Sequence, residues 1–208
     1  MEENKELIEK LTEFETKYRV EGHLLTEFKR IVDRLPNVKK NGFIYVEGPD
    51  YYFTNGKGDS FIRYRRPSHG LDNGRAEVTV KIKPDGAKNN IKRQEVNIRV
   101  DVTPEDAVRE FVKLMGYKPN FNIFKTCHIY NLDDATLVFY NVYDETDGKV
   151  TKEDVFVEIE IDEHLVSTLT QEEAMAIISK YEKILEPIGL SAQKRLRKSL
   201  FEMYRRNA

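Results

Sequence analysis

The stretch EFETKYRV sets two carboxylates and two cations at alternate positions: Glu13, Glu15, Lys17 and Arg19. Successive side chains on a β-strand point to opposite faces, so these four share one face while Phe14, Thr16, Tyr18 and Val20 share the other. The same division recurs near the C-terminus, where Glu158, Glu160 and Asp162 alternate with Val157, Ile159 and Ile161. Between them, FIRYRR puts Arg63 and Arg65 together, and EVTVKIKP aligns Thr79, Lys81 and Lys83 against Val78, Val80 and Ile82. KRQEVNIRV aligns Arg93, Glu95, Asn97 and Arg99 against Val96, Ile98 and Val100. The signs are sorted, with acid pairs on the outer segments and cations on those between, whereas a merely solvated face intersperses them. Paired carboxylates suit Mg²⁺ or Mn²⁺, which take oxygen ligands and keep waters and phosphate oxygens in their shell. Arginine forks and lysine ammonium groups suit phosphate oxygens.

Strand-like runs centred near 43–53, 60–66, 76–83, 92–101, 122–131, 135–144 and 154–162 follow a first strand near 12–20. Turn-rich stretches separate them at 67–74, 84–90 and 144–149. Residues 2–11 read as a short charged helix, and 23–35 carry Leu24, Phe28, Ile31 and Leu35 at helical spacing before Pro36. A further helix is expected from Thr103-Pro104 to Gly116, capped by Thr103. Two closing helices are expected at about 170–185 and 190–206, split by Pro187 and Gly189. Eight or so strands without βαβ alternation predict an α+β fold, an antiparallel sheet closed or strongly curved with helices outside. The apolar face of that sheet packs under the helices, which leaves the charged face lining an interior. A buried charged wall needs partners, because desolvating an ion costs several kcal/mol. A phosphate polyanion together with a divalent cation satisfies both signs at once.

At 208 residues the chain is sized for a single domain spanning 1–208, and 39% hydrophobic with 34% charged residues marks it as soluble and globular. A net charge of -2 gives no bulk attraction to nucleic acid or anionic membrane, so electrostatic function must lie in arrangement. The lone Cys127 excludes an intramolecular disulfide and fits a reducing compartment. The opening MEENKELIEKL lacks a signal-peptide pattern, and no run approaches the roughly 18 apolar residues of a membrane span. A cytoplasmic monomer or homodimer is expected, with no membrane and no clear nucleic-acid partner. Four histidines lie at no metal-ligand spacing, and the basic C-terminal run reads as a solvated helix face.

These residues resemble the CYTH superfamily of triphosphate tunnel metalloenzymes. Glu13-Phe-Glu15-Thr-Lys17 matches the ExExK motif that names the family. After it come Asp50-Tyr-Tyr-Phe, the RxR of Arg63-Tyr-Arg65, a TxK-like strand with Lys81, the RxE of Arg93-Gln-Glu95, and FVEIEID with Glu158 and Glu160. KRLRKSLFEMY resembles the closing helix, with Ser199, so the likeness runs in family order from residue 13 to about 204.

The resemblance implies an eight-stranded antiparallel β-tunnel, a closed barrel with helices packed outside. It also implies that Glu13, Glu15, Glu158 and Glu160 hold metal, and that Lys17, Arg19, Arg63, Arg65, Lys81, Lys83, Arg93 and Lys125 hold phosphates. Glu95 would orient the basic groups, and the aspartate expected before the last strand is Asp144, or its place is taken by Asn141. Two positions depart from the pattern: Lys125 is followed by Thr126-Cys127 rather than by an arginine, and Asn97 stands where a second acid is usual. The implied activity is metal-dependent hydrolysis of inorganic triphosphate or a nucleoside triphosphate, with Glu13, Glu15, Lys17, Arg65 and Lys81 at the reaction centre. The alternatives are an adenylate cyclase of the family's class IV, or a protein that binds a phosphorylated ligand without turning it over.

Overall fold

Period-two alternation commits most of this chain to strands, and the pairing register then decides which face of each strand is enclosed. A computed structural model describes residues 8–56, 60–66, 69–70, 76–82, 92–100, 103–146 and 149–206, without the side chains of 8–13, 69–70, 92–94, 145–146, 149 and 163. The strands are β1 (Ile8–Val20), β2 (Val38–Thr54), β3 (Ser60–Arg65), β4 (His69–Gly70), β5 (Glu77–Ile82), β6 (Lys92–Arg99), β7 (Lys118–Leu132), β8 (Ala135–Thr146) and β9 (Lys149–Ile161). The helices are α1 (Leu25–Val32), α2 (Glu105–Leu114), α3 (Glu163–Val166), α4 (Gln171–Ile184) and α5 (Leu200–Tyr204).

Every strand pair is antiparallel. The strands form one sheet in the order β3-β5-β6-β1-β9-β8-β7-β2-β4, and β3 pairs additionally with β2, from Asp50↔Arg65 to Thr54↔Phe61. The sheet is therefore curled, a form that fits a tunnel, and the α+β architecture is as the alternation predicts.

The apolar faces point outward into packed layers. Phe14 and Tyr18 of β1, with Phe139 of β8 and Val157 and Ile159 of β9, are covered by Phe28 of α1 and by Ile178 and Tyr181 of α4. Val108 and Val112 of α2 close a smaller core over Phe53, Ile62, Tyr64 and Val78. On the inward side instead, Phe201 and Tyr204 of α5 pack on Tyr52, Phe121 and Phe156, with the Phe61 and Phe201 rings stacked 4.7 Å apart. Among the described residues no helix is long and apolar enough to cross a membrane.

Three local expectations need correction. The helix expected over 2–11 is already strand from Ile8, because pairing from Ile8↔Ile98 to Phe14↔Lys92 overrides helical propensity; residues 1–7 lie outside the described ones. Thr103 does not cap α2: Pro104 stands at the N-cap, with no side-chain cap bond. The expected closing helix 190–206 breaks into a 3₁₀ turn at Ala192–Lys194 and the short α5. Its middle is drawn across β1, where the Leu196 N–H donates to the Lys17 carbonyl (2.8 Å), and α5 restarts through a capping box between Ser199 and Glu202.

Within β2, Asn41 takes a left-handed φ of 61° and Gly42 follows it, where the β2–β7 register shifts between Val38 and Phe43. A Cβ on Gly42 would lie 2.5 Å from the Asn131 carbonyl oxygen and 2.8 Å from that of Lys39. Both are backbone atoms in paired strands and cannot swing aside. Gly42→Ala should cost about 2 kcal/mol and lower Tm by about 4–8 °C in scanning calorimetry. An unchanged Tm would mean that the irregularity relaxes freely.

Candidate functional site

The inward faces of the strands enclose a cavity of about 280 Å³. From β1 come Glu15 and Lys17, from β9 Glu158 and Glu160, and from β3 Arg63 and Arg65. β5 supplies Glu77 and Lys81, β6 supplies Glu95, and β7 supplies Lys125 and Cys127. Tyr52, Phe61, Leu200 and Phe201 line it with aromatic and aliphatic surface, and Ser199 also borders it. Alternation along each strand delivers the charges inward, and the pairing register then sets their neighbours.

Each described lining cation meets a carboxylate. The Lys17 ammonium donates to Glu158 (2.7 Å), the residue opposite it in the β1–β9 ladder, and stands 3.6 Å from Glu15. Lys81 lies 2.6 Å from Glu95, again directly opposite across β5–β6. Arg63 donates through Nη2 to Glu77 (3.2 Å) and to the Thr79 hydroxyl (3.0 Å), while its buried Nε finds no acceptor among the described residues. Arg65 makes a two-point fork onto Asp50, Nε to Oδ1 at 2.8 Å and Nη2 to Oδ2 at 3.0 Å. Lys125 sits 3.9 Å from the same carboxylate and 4.4 Å from the centre of the Tyr140 ring.

Burial and ion pairing pull the titrations in opposite directions. Burial alone would raise Asp50, but Arg65 and Lys125 outweigh it and hold the carboxyl well below the usual carboxylate range. Glu95 is also held low, because Lys81 and Arg63 overcome its burial. Glu158 goes the other way: burial and the neighbouring Glu15 raise it, and Lys17 offsets only part of that. Burial pushes the Cys127 thiol up and the Lys125 ammonium down.

The sequence-derived residues Glu15, Lys17, Arg63, Arg65, Lys81, Glu95, Lys125, Glu158 and Glu160 are thus brought together on one wall. Others are not. Arg19 is 51% exposed at the end of β1, beside Asp154 (3.4 Å) and the Phe156 ring, and does not line the cavity. Asp144 points to Arg206 (3.4 Å) and also stands off the wall. The backbones of Glu13 and Arg93 pair across β1–β6, but their side chains, like all of Lys83, lie outside the described residues. Glu77 and Asp50 were not singled out from the sequence as site residues. Glu77 was findable, since it shares the face of Thr79 and Lys81, whereas Asp50 has no second acid on its own face of β2.

Among the described residues, no three carboxylate, imidazole or thiol groups are already arranged around a metal position. The donor chemistry nevertheless fits a hard cation. Glu15, Glu158 and Glu160 offer only carboxylate oxygens, and the neighbouring Glu15 adds to burial in raising the Glu158 carboxyl.

No protein-family model matches this chain, and no curated protein matches it in sequence. Solved structures do. The PH1012 protein from Pyrococcus horikoshii OT3 is 25% identical, with a TM-score of 0.68 over 91% of this chain and 98% of that one. A candidate adenylate cyclase from Bacillus halodurans shares the fold at 16% identity and a TM-score of 0.56, covering 94% of this chain and 98% of its own. A candidate adenylate cyclase from Vibrio parahaemolyticus does so at 20% and 0.53, covering 93% and 97%.

The raised Glu158 sets a testable sign. Its folded pKa lies above the unfolded value, so folding takes up a proton between the two and stability falls as pH rises through that window. Glu158→Gln removes this loss while Lys17 keeps Glu15 at hand. Its Tm at pH 7 should match or exceed the wild type, and its decline as pH rises through the Glu158 titration should be shallower in a pH series of thermal melts. A drop of more than about 5 °C would mean that the Lys17 contact outweighs the crowding.

Proposed function

We propose that this chain, which carries the fold of the CYTH and triphosphate tunnel superfamily, is a metal-dependent hydrolase of inorganic triphosphate or nucleoside triphosphates. The observation that carries the reading is the convergence of Lys17, Arg63, Arg65, Lys81 and Lys125 on one cavity together with Glu15, Glu158 and Glu160. Pairing of β3 with both β5 and β2 supports reading the curled sheet as a closed eight-stranded tunnel.

The residues present divide the work. Glu15, Glu158 and Glu160, joined by Glu13 on the resemblance, would hold Mg²⁺ or Mn²⁺. Bound there, such a cation supplies charge neutralisation and a lowered pKa for coordinated water. Arg63 and Arg65 offer planar donor groups to phosphate oxygens, and the unsatisfied Arg63 Nε is a donor waiting for an acceptor. Lys17, Lys81 and Lys125 supply point charges that hold the chain in line and stabilise negative charge developing on the leaving phosphate. Cys127 faces the same space as a thiol kept protonated by burial, which disfavours a covalent route through sulfur.

The cyclase reading uses the same wall with a ribose hydroxyl in place of water, and the shared fold with two candidate adenylate cyclases favours keeping it as the second reading. The products discriminate. The protein is incubated with tripolyphosphate and each nucleoside triphosphate in Mg²⁺ or Mn²⁺, and the mixture is resolved by anion exchange with mass detection. Orthophosphate and a shortened chain are expected. Cyclic AMP with pyrophosphate would establish the cyclase, and intact substrates at high protein concentration would end both enzymatic readings. With hydrolysis in hand, Arg65→Ala and Lys81→Ala should each lower kcat/KM by about 10²–10³. Glu160→Gln should abolish metal-dependent turnover with little change in Tm, and full activity in that variant would remove Glu160 from the site.

A further inference from the structure

On the same face of β2 as the cavity-lining Tyr52 lies a carboxylate that the reading above leaves unused. Asp50 sits on β2 between β3 and β7, opposite Arg65 in one ladder and Ile123 in the other. It is 1% exposed and is not among the residues that line the cavity. Its two oxygens take the Nε and Nη2 of Arg65 at 2.8 and 3.0 Å, and Lys125 Nζ stands 3.9 Å from Oδ2. Arg65 and Lys125 both line the cavity.

We propose that Asp50 is a positioning residue, a buried anion that fixes the plane of the Arg65 guanidinium and the place of the Lys125 ammonium so that both present to phosphate. The inference rests on the phosphate-binding reading of the cavity. Arginine carries five N–H donors in a rigid fork. Two of them are anchored on Asp50, which fixes the direction of the three that remain. The same carboxylate lies between two cations that would otherwise repel each other in a dry wall. A role in stability alone explains the arrangement poorly, since apolar side chains of similar volume often replace a buried ion pair without loss.

Charge and aim make opposite predictions. Asp50→Asn keeps the side-chain shape and leaves the wall one charge more positive. If Asp50 only tempered the charge, the variant would bind tripolyphosphate more tightly and turn it over as before. If Asp50 aims Arg65, the variant binds more weakly and turns over more slowly.

The experiment combines kinetics on tripolyphosphate, calorimetric binding of tripolyphosphate, and ¹⁵N NMR of arginine Nε–H groups, with the Arg65 signal assigned by its loss in Arg65→Lys. The wild type should show a slowly exchanging Arg65 Nε–H that Asp50→Asn loses, together with a fall in kcat/KM of about 10- to 100-fold. Asp50→Glu, which keeps the charge but displaces the fork, should fall in the same direction, and it carries the test if Asp50→Asn does not fold. An unchanged Arg65 signal, or tighter binding with kcat intact, would overturn the proposal. If the wild type neither binds nor cleaves tripolyphosphate, the inorganic-triphosphate reading fails, and the Arg65 signal alone still decides whether Asp50 positions it.

Discussion

Everything in this molecule depends on enclosing ionic side chains without leaving any of them alone. Desolvation of a single ion costs several kcal/mol, so an inward wall of lysines, arginines and glutamates survives only as a set of close pairs. The ladder register makes those pairs. Lys17 meets Glu158 and Lys81 meets Glu95 because each stands directly opposite the other on adjacent strands. A slip of one residue would turn every member of a strand to the other face, exposing Tyr18 or Val78 to the cavity and driving the charges under the helices. The apolar outside and the ionic inside therefore enforce the same register.

The outer layers carry this constraint to the end of the chain. Tyr18, on the apolar face of β1, donates to Glu182 of α4 at 2.6 Å, and Glu182 holds Arg195 at 2.5 and 2.6 Å. Arg195 begins the segment whose Leu196 N–H bonds to the Lys17 carbonyl. Farther on, Tyr204 donates to Asp154 of β9, and the Arg206 N–H reaches Asn120 of β7. A segment tied at both ends thus lays Ser199, Leu200 and Phe201 against the cavity. The helix expected there from periodicity is broken because these attachments, and the capping box at Ser199, set its path.

Much of this arrangement was legible in the sequence because strand alternation is a strong signal when both faces are chemically extreme. Glu15, Lys17, Arg63, Arg65, Lys81, Glu95, Glu158 and Glu160 were readable by parity, and Lys125 followed from the family likeness. Parity says which face a residue occupies but not how far along the wall it lies, which is why Arg19 keeps the pattern and still falls outside the cavity. It also says little where the acids of one strand fall on opposite faces, as Glu47 and Asp50 do on β2. Asp50 belongs to the basic wall only because β2 lies between β3 and β7, a fact of long-range pairing. The helical reading of 8–11 failed for the same reason, since β6 supplies a partner invisible to local propensity.

The pairing within the wall also bears on how a ligand would enter it. Among the described lining residues, Lys17, Arg63, Arg65, Lys81 and Lys125 face Glu15, Glu77, Glu95, Glu158 and Glu160, five cations against five carboxylates. Such a wall has little net field to attract a bare polyanion, and each lysine that turned to phosphate would strand a buried carboxylate. A divalent cation reverses that penalty by taking over the carboxylates as the ammonium groups turn to phosphate. Under the proposed function, anion and cation therefore favour each other's binding, and by linkage the coupling is equal in both directions. The ionic wall is then a set of exchangeable partners, neutral when closed on itself and able to release both signs together to a metal–phosphate complex.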